Sequence, residues 1–238
     1  MCKSYIKFEG KIQSIALVQF WPGNRCKGGH CAIPKTTPFV KEGFMLNGFW
    51  PQIRVNAKLR CCLFKLDLKR VENIIFRNRP LVEMIHKNWM SFQQCGYAMY
   101  QFDTHGTCAM QIYHGPRGVI EYMKTAIHLF NKYDAWEILK QSELKVQTNK
   151  LYKIQDLKVI LQKVYGEEPV FFCQYRNLVR DFRICYDPRT NKENPHPIRC
   201  PEKFFQKEKE KCDEEILFEL FPMELTKPET APRNNCPY

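Results

Sequence analysis

The sequence has no long hydrophobic run and no acceptor site for N-linked glycosylation. A membrane-spanning helix needs about 18 or more consecutive apolar residues, so the chain is predicted not to enter a membrane. Residues 1–13 contain no apolar run of the kind found in secretory signals, so secretion would require a signal that this version of the chain lacks. The Asn-X-Ser/Thr pattern is absent, which excludes N-glycosylation of the chain.

Cysteine, by contrast, is abundant, with twelve among 238 residues. This content is typical of secreted proteins with several disulfides. A zinc site is the alternative, because Cys26-Lys-Gly-Gly-His-Cys31 offers a short cluster of ligands. No second pair of cysteines or histidines follows at zinc-finger spacing. We therefore predict disulfides, no metal and no cofactor. A secreted or extracellular location is favoured over a reducing compartment with free thiols.

The charge is strongly basic, with 37 Lys and Arg against 25 Asp and Glu and a formal net charge of +12. Such an excess attracts polyanions such as RNA, DNA or acidic membrane surfaces. The alternative interpretation is solubility alone. The cations are spread along the chain, which excludes a separate basic tail.

Helical and strand patterns mix along the chain without regular alternation. Residues 14–21 are apolar and β-prone and end at Pro22-Gly23, whereas residues 119–133 and 153–165 have apolar side chains at helical spacing. Pro80 is predicted to split residues 71–89 into two helices. These patterns favour an α+β fold over a doubly wound sheet.

The chain is predicted to form one compact domain, because no Gly/Ser-rich or Pro-rich linker interrupts its first two hundred residues. We assign residues 1–13 to an N-terminal extension and residues 14–212 to the domain. Residues 213–238 are charged and then proline-rich, which is typical of a tail that lies over a domain or is partly loose.

Two segments carry the main functional signal. Residues 44–52 read FMLNGFWPQ, and residues 97–108 read YAMYQFDTHGTC. They resemble the two active-site segments of the ribonuclease T2 family, usually Phe-Thr-Ile/Leu-His-Gly-Leu-Trp-Pro and His-Glu-Trp/Tyr-X-Lys-His-Gly-Thr-Cys. The resemblance is strongest to plant S-RNases and S-like RNases. It extends from about Ser14 to Cys212 through ALVQFWPGNRC, RICYD and RCP.

The resemblance implies a single-domain, disulfide-rich fold with a central antiparallel sheet and several helices. The family activity that it implies is RNA cleavage by internal transesterification. A base takes the proton of the ribose 2′-OH, and an acid protonates the departing 5′-oxygen. Imidazole suits both roles near neutral pH. Positive or hydrogen-bonding groups are also needed around the phosphate.

Most of the residues that perform this chemistry are replaced here. The first-segment histidine falls on Asn47. In the second segment, Tyr100 replaces the phosphate-site histidine, Gln101 replaces the glutamate and Thr104 replaces the lysine. Only the last histidine is retained, as His105. An Asn amide cannot serve as an acid or base near neutral pH. Gln101 and His105, four residues apart, are predicted to share one face of a helix.

These substitutions predict a catalytically impaired pseudoenzyme that binds single-stranded RNA. Phosphate contacts would come from Lys and Arg, with Trp50 as a stacking surface and Gln19 near the base site. Both residues have a structural alternative as members of the core. The first alternative function is a weak endoribonuclease that yields 2′,3′-cyclic phosphates, and the second is a stored protein. A monomer is expected, with an unidentified protein partner as a further option.

Five other histidines are candidates to replace the missing group, and a surface or core role is the default for each: His30, His86, His114, His128 and His196. The resemblance also implies disulfide pairs: Cys26–Cys31, Cys61 or Cys62 with Cys108, Cys173–Cys212 and Cys185–Cys200. Four cysteines are left unassigned: Cys2, Cys95, Cys236 and one of Cys61 and Cys62. Spacing alone does not fix the connectivity.

Overall fold

A computed structural model describes residues 1–28, 31–53 and 59–238. The strands are β1 (Ser14–Phe20), β2 (Ile33–Pro34), β3 (Met45–Gln52), β4 (Leu151–Lys153), β5 (Val170–Gln174), β6 (Leu178–Asp187), β7 (His196–Ile198), β8 (Glu215–Leu217) and β9 (Arg233–Asn234). The α-helices are α1 (Pro22–Arg25), α2 (Leu68–Phe76), α3 (Arg79–Asn88), α4 (Tyr97–Gln101), α5 (Thr107–Ala109), α6 (Gly118–Lys132), α7 (Ala135–Gln141), α8 (Ile154–Tyr165) and α9 (Glu202–Lys211). A π-helical turn (Phe102–Gly106) joins α4 to α5, and a 3₁₀ turn spans Met223–Thr226.

The main sheet has the order β3-β1-β6-β8-β4, and β5 and β7 also pair with β6. Strand β1 lies between β3 and β6 and is antiparallel to both. Every residue of β1 is buried, which explains why residues 15–18 are all apolar rather than alternating with polar ones. The predicted α+β class with a central sheet is confirmed.

Apolar clusters cover both faces of the sheet. Successive side chains of a strand point to opposite faces, so Ile15 and Leu17 pack into the larger cluster, while Ala16 and Val18 pack into the smaller one. The larger cluster takes side chains from α2, α3, α6, α7 and α8. The smaller cluster is closed by Phe204 and Phe205 of α9. Helix α9 is therefore held against the sheet.

The predicted break at Pro80 is confirmed, because α2 ends at Phe76 and α3 begins at Arg79. Each helix begins at a capping side chain. The Asp67 carboxylate accepts a hydrogen bond from the Arg70 amide (2.8 Å), and the Asn78 side chain accepts one from the Leu81 amide (3.1 Å). Within the described residues, no helix is long and apolar enough to cross a membrane.

Twelve cysteines form disulfides, among them the pairs that the resemblance implies: Cys26–Cys31, Cys62–Cys108, Cys173–Cys212 and Cys185–Cys200. The four cysteines left unassigned pair as Cys2–Cys61 and Cys95–Cys236. Both join residues far apart in the chain, with separations of 59 and 141. Cys108 lies in α5, the short helix that follows the π-helical turn, so its bond to Cys62 secures the second segment.

The two ends of the chain contact the body of the protein. The backbone N–H of Cys2 and the hydroxyl of Tyr5 donate to the buried Asp103 carboxylate (2.6 and 2.9 Å). After residue 212, β8 joins the main sheet, and the buried Tyr238 side chain donates to Glu72 (3.3 Å). The division into extension, domain and tail stays a prediction.

Candidate functional site

Asn47 lies on β3, and its side-chain oxygen is the acceptor of two hydrogen bonds. The Tyr97 hydroxyl donates one, and the Gln101 amide donates the other at 3.3 Å. The backbone carbonyl of Asn47 accepts from the Trp89 indole N–H at 3.1 Å. At the next residue, Gly48, a Cβ would come within 2.9 Å of the Gln101 side-chain oxygen. The Asn47 amide is thus held in a closely packed network of neutral groups.

Gln101 and His105 meet the first segment at Trp50. The Trp50 indole N–H donates to the Gln101 side-chain oxygen at 3.0 Å. The His105 ring stacks on the Trp50 ring, with centroids 4.4 Å apart and planes at 23°. Gln101 ends α4, and His105 lies in the π-helical turn that follows. One face of Trp50 is therefore occupied by an imidazole, and that face cannot stack on a base.

His105 is buried, and its pKa is lowered to about 3. Burial is the main cause, because removal from water disfavours the charged imidazolium. The positive charges of Arg60 and Arg183 lower the pKa further. A hydrogen bond with the Leu59 backbone acts in the opposite direction and is outweighed. The imidazole is neutral at neutral pH.

The two remaining substituted positions lie nearby. Tyr100 is half-buried and stacks on Tyr97, with ring centroids 6.4 Å apart. Thr104 is buried, and its backbone carbonyl accepts from the Cys61 amide at 2.8 Å. Tyr100 thus reaches Asn47 through Tyr97, whereas Thr104 connects the helical segment to the disulfide-bonded loop.

Gln19 lies elsewhere, although the sequence placed it near a base site. Its side chain is buried, donates to the Tyr165 hydroxyl at 3.4 Å and lines a pocket of about 430 Å³ beside Phe39. The next residue, Phe20, faces the pocket that contains Asn47. Because side chains alternate along β1, Gln19 points away from Asn47, and its contact with RNA stays a prediction.

Two pockets adjoin Trp50 and Arg180. The Asn47 pocket, of about 250 Å³, is lined by Phe20, Trp21, Asn24, Arg25, Asn47, Trp50, Gln174, Arg180 and Asp181. The α9 pocket, of about 400 Å³, includes His105 and a set of basic side chains: Arg60, Arg180, Arg183, Lys203, Lys207 and Lys211. The pockets share Trp50 and Arg180, so a single extended ligand can contact both.

A model of the ribonuclease T2 family matches residues 12–200. The chain belongs to the ribonuclease T2 family. Solved structures with the same fold include an RNase-related protein from Calystegia sepium (22% identity, 88% of this chain and 98% of that chain, TM-score 0.65). A Nicotiana alata SF11-RNase associated with gametophytic self-incompatibility has 20% identity over 88% of this chain and 100% of that chain, with a TM-score of 0.61.

RNase MC1 from bitter gourd seeds has 19% identity over 86% of this chain and 99% of that chain, with a TM-score of 0.62. RNase NT, solved in complex with 5′-AMP, has 22% identity over 89% of this chain and 100% of that chain, with a TM-score of 0.64. No curated protein sequence matches the chain. At these identities the likeness to solved structures shows the ribonuclease T2 fold.

In this T2-family protein, the other described histidines line neither the Asn47 pocket nor the α9 pocket. His86 contacts the Pro237 carbonyl oxygen at 2.8 Å, and His196 lies 3.3 Å from the Thr190 hydroxyl. His114 and His128 are exposed. The fifth of these histidines, His30, falls outside the described residues. Within those residues, no group of three His, Cys, Asp or Glu side chains could hold a metal ion.

Several residues of the site were not singled out from the sequence. Tyr97 and Arg25 are the main ones, because the Arg25 guanidinium donates to the Tyr97 hydroxyl at 3.1 Å and lies 4.4 Å from the Phe20 ring centroid. No short motif connects residues 25, 47 and 97. By contrast, the lysines at 203, 207 and 211 have a spacing of four that predicts one helical face.

Proposed function

We propose that this ribonuclease T2 family protein binds single-stranded RNA and cleaves it extremely slowly or not at all. One observation carries the proposal. The position of the first-segment histidine holds Asn47, whose amide is bound to Tyr97 and Gln101, while the retained His105 is buried with a pKa of about 3.

Proton transfer is the function that this arrangement lacks. Efficient acid and base catalysis requires groups whose pKa lies near the working pH. At neutral pH an imidazole with a pKa of about 3 lacks the imidazolium proton that a general acid donates, and it is a weak base. Asn47 cannot exchange protons at neutral pH. A positioned acid or base contributes about 10² to 10⁴ in rate, and losses within one site are not additive.

RNA binding is supported by groups that can contact RNA without a change in their protonation state. The Asn47 pocket presents the side-chain amides of Asn24 and Gln174, which are 2.7 Å apart, and the guanidinium of Arg25. Amide and guanidinium groups form hydrogen bonds with base edges and phosphates. RNase NT, which has the same fold, is solved in complex with 5′-AMP. The net charge of +12 adds long-range attraction for RNA.

The six disulfides are suited to an oxidising compartment, so we place the protein outside the cytosol. A monomer is the state we expect, with single-stranded RNA as its partner.

Binding is tested by fluorescence anisotropy, with the oxidised protein titrated into a dye-labelled single-stranded RNA. We expect saturable binding that weakens as salt increases, because phosphate contacts release counterions. Arg25→Gln should weaken binding without unfolding the protein. No saturable binding at low salt would overturn the RNA-binding proposal and leave the stored-protein alternative.

Cleavage is tested with the same RNA, and the His105→Ala variant is measured beside the parent. We expect both to leave the RNA intact. If the parent produces 2′,3′-cyclic phosphate ends and the variant does not, His105 participates in catalysis and the pseudoenzyme proposal is wrong.

A further inference from the structure

We infer that the α9 pocket binds backbone phosphates of the RNA strand, on the side of Trp50 away from Asn47. This inference rests on the proposed function and names where its ligand is held. The cations of the site come from α9, β6 and Arg60, outside the two motif segments, although Trp50, Gln52 and His105 of those segments also line the pocket.

The α9 pocket concentrates positive charge. Among the described residues, six basic side chains line this pocket of about 400 Å³, and Glu210 is the one acidic residue beside them. The carboxylate of Asp181, which lies beside Arg183, is shared by two guanidiniums, those of Arg180 (2.9 Å) and Arg183 (3.0 Å). Cations therefore outnumber nearby carboxylates, and an anionic ligand would restore the balance.

Helix α9 supplies three of these cations from one face. Lys203, Lys207 and Lys211 follow at intervals of four residues and line the pocket, as that spacing requires on an α-helix. The helix is anchored through Glu208, which accepts from the Phe171 amide at 2.6 Å and pairs with Lys158 at 2.6 Å. The three lysines are therefore presented by a fixed element of the fold.

The positive charges in the α9 pocket are close enough to repel one another. Burial and then the neighbouring charge of Lys207 lower the pKa of Lys203, whose ammonium also donates to the Ile53 carbonyl at 3.2 Å. Burial also lowers the pKa of Arg183, and the charges of Arg180 and Arg60 contribute to that decrease. Such crowding has an electrostatic cost that a bound phosphate offsets.

The number of cations in the pocket favours several successive phosphates of one strand over a single phosphate group. A single phosphodiester carries one charge, so six cations exceed what one such group requires. Arginine forms bidentate hydrogen bonds with phosphate oxygens, and lysine acts as a point charge. The pocket continues past Trp50 and Arg180 into the Asn47 pocket. A single strand with a base in the Asn47 pocket can thus place neighbouring phosphates in the α9 pocket.

The experiment compares two double variants that remove the same charge. Lys207→Gln/Lys211→Gln changes the pocket face of α9. Lys163→Gln/Lys209→Gln is the matched control, because Lys209 lies on α9 and Lys163 on α8, both exposed and outside the pocket. RNA affinity is measured by anisotropy at several salt concentrations. Binding of inorganic tripolyphosphate is measured by calorimetry. Both variants must keep the parent's urea unfolding midpoint.

We expect the pocket variant to lose about tenfold in RNA affinity at about 100 mM salt. Its salt slope should decrease by about 1.4, since each phosphate contact on a single strand contributes about 0.7. The control should change affinity by less than about twofold. The pocket variant should also lose tripolyphosphate binding that the parent and the control retain.

Two further results separate this inference from the proposed function. If the parent binds RNA and both double variants bind it equally, the α9 pocket is not the phosphate site, while RNA binding stands. If the parent binds tripolyphosphate in the α9 pocket but does not bind RNA, the anion site is supported and the RNA-binding proposal fails.

Discussion

The buried ion cluster beneath α9 offers a prediction that can be developed quantitatively. The Lys158 ammonium lies 2.6 Å from a carboxylate oxygen of Glu168 and 2.6 Å from one of Glu208. Lys158 is 4% exposed and Glu208 is 7% exposed. Lys158→Met removes the cation that faces both carboxylates and leaves the Glu208 charge buried without its partner.

Removal of one member of a buried ion pair typically costs about 3–5 kcal/mol. Lys158 forms ion pairs with two carboxylates, but Glu168 also forms an ion pair with Arg199 at 3.1 Å, which remains in the variant. We therefore expect Lys158→Met to lower the free energy of unfolding by about 4 kcal/mol at neutral pH. This is a large fraction of the stability of a typical domain, about 5–15 kcal/mol.

The loss of unfolding free energy caused by Lys158→Met should become smaller as the pH falls. Burial already raises the pKa of Glu208, and Lys158 opposes that effect. Without Lys158 the folded-state pKa rises further, so the folded protein binds a proton more readily than the unfolded chain. The destabilisation is therefore largest at neutral pH and decreases as pH falls towards the ordinary glutamate pKa of about 4.

Urea unfolding with the disulfides intact, followed by tryptophan fluorescence at neutral pH and near pH 4.5, measures both effects. The control is Lys158→Met/Glu208→Gln, which keeps an acceptor for the Phe171 amide and removes the buried charge. It should recover most of the lost stability. A loss below about 1 kcal/mol for Lys158→Met, or one that does not depend on pH, would refute the reasoning.

The remaining predictions concern titration, the C-terminal disulfide and core packing. By NMR, the His105 imidazole should titrate near pH 3, and Arg60→Gln should raise that pKa. Because the unfolded chain gains the proton first, the contribution of His105 to stability is lost as the pH falls from 6.5 towards 3. A pKa near 6.5 in the folded protein would contradict the burial argument. Replacement of Cys95 and Cys236 by Ser opens a loop of 141 residues and should lower the free energy of unfolding by up to about 4 kcal/mol, whereas no change in urea unfolding would show that the bond is dispensable. Gly106→Ala places a Cβ 2.6 and 2.8 Å from two aromatic rings and should cost about 1–3 kcal/mol, which an unchanged melting temperature would contradict.

The sequence contained enough information to predict much of the fold, because periodicity and helix-breaking residues act locally. Pro80 separates α2 from α3 as predicted. The pairs Cys2–Cys61 and Cys95–Cys236 were not predictable, since sequence separations of 59 and 141 leave no local signal. The strand at residues 215–217 was also missed, because it is only three residues long and pairs with distant β4.

The candidate site was only partly predictable for similar reasons. The motif segments identified positions 47, 100, 101, 104 and 105, but the burial of His105 depends on tertiary packing against Trp50. Gln19 and Phe20 are adjacent in sequence and face opposite sides of β1, so a one-residue difference decides which of them reaches the Asn47 pocket. The electrostatic crowding at α9 requires Arg60 and Arg183, which no linear pattern connects to the lysines.

The most direct test of the central claim is single-turnover cleavage of fully bound, labelled single-stranded RNA by the parent and by one quadruple variant. That variant, Asn47→His/Tyr100→His/Gln101→Glu/Thr104→Lys, restores the residues usual in the family segments. We predict that the parent leaves its bound RNA intact, while the variant cleaves at least about 10² faster, the contribution of one positioned acid or base. Cleavage by the parent at the rate of the variant would contradict the claim, and so would a folded, RNA-binding variant as inactive as the parent.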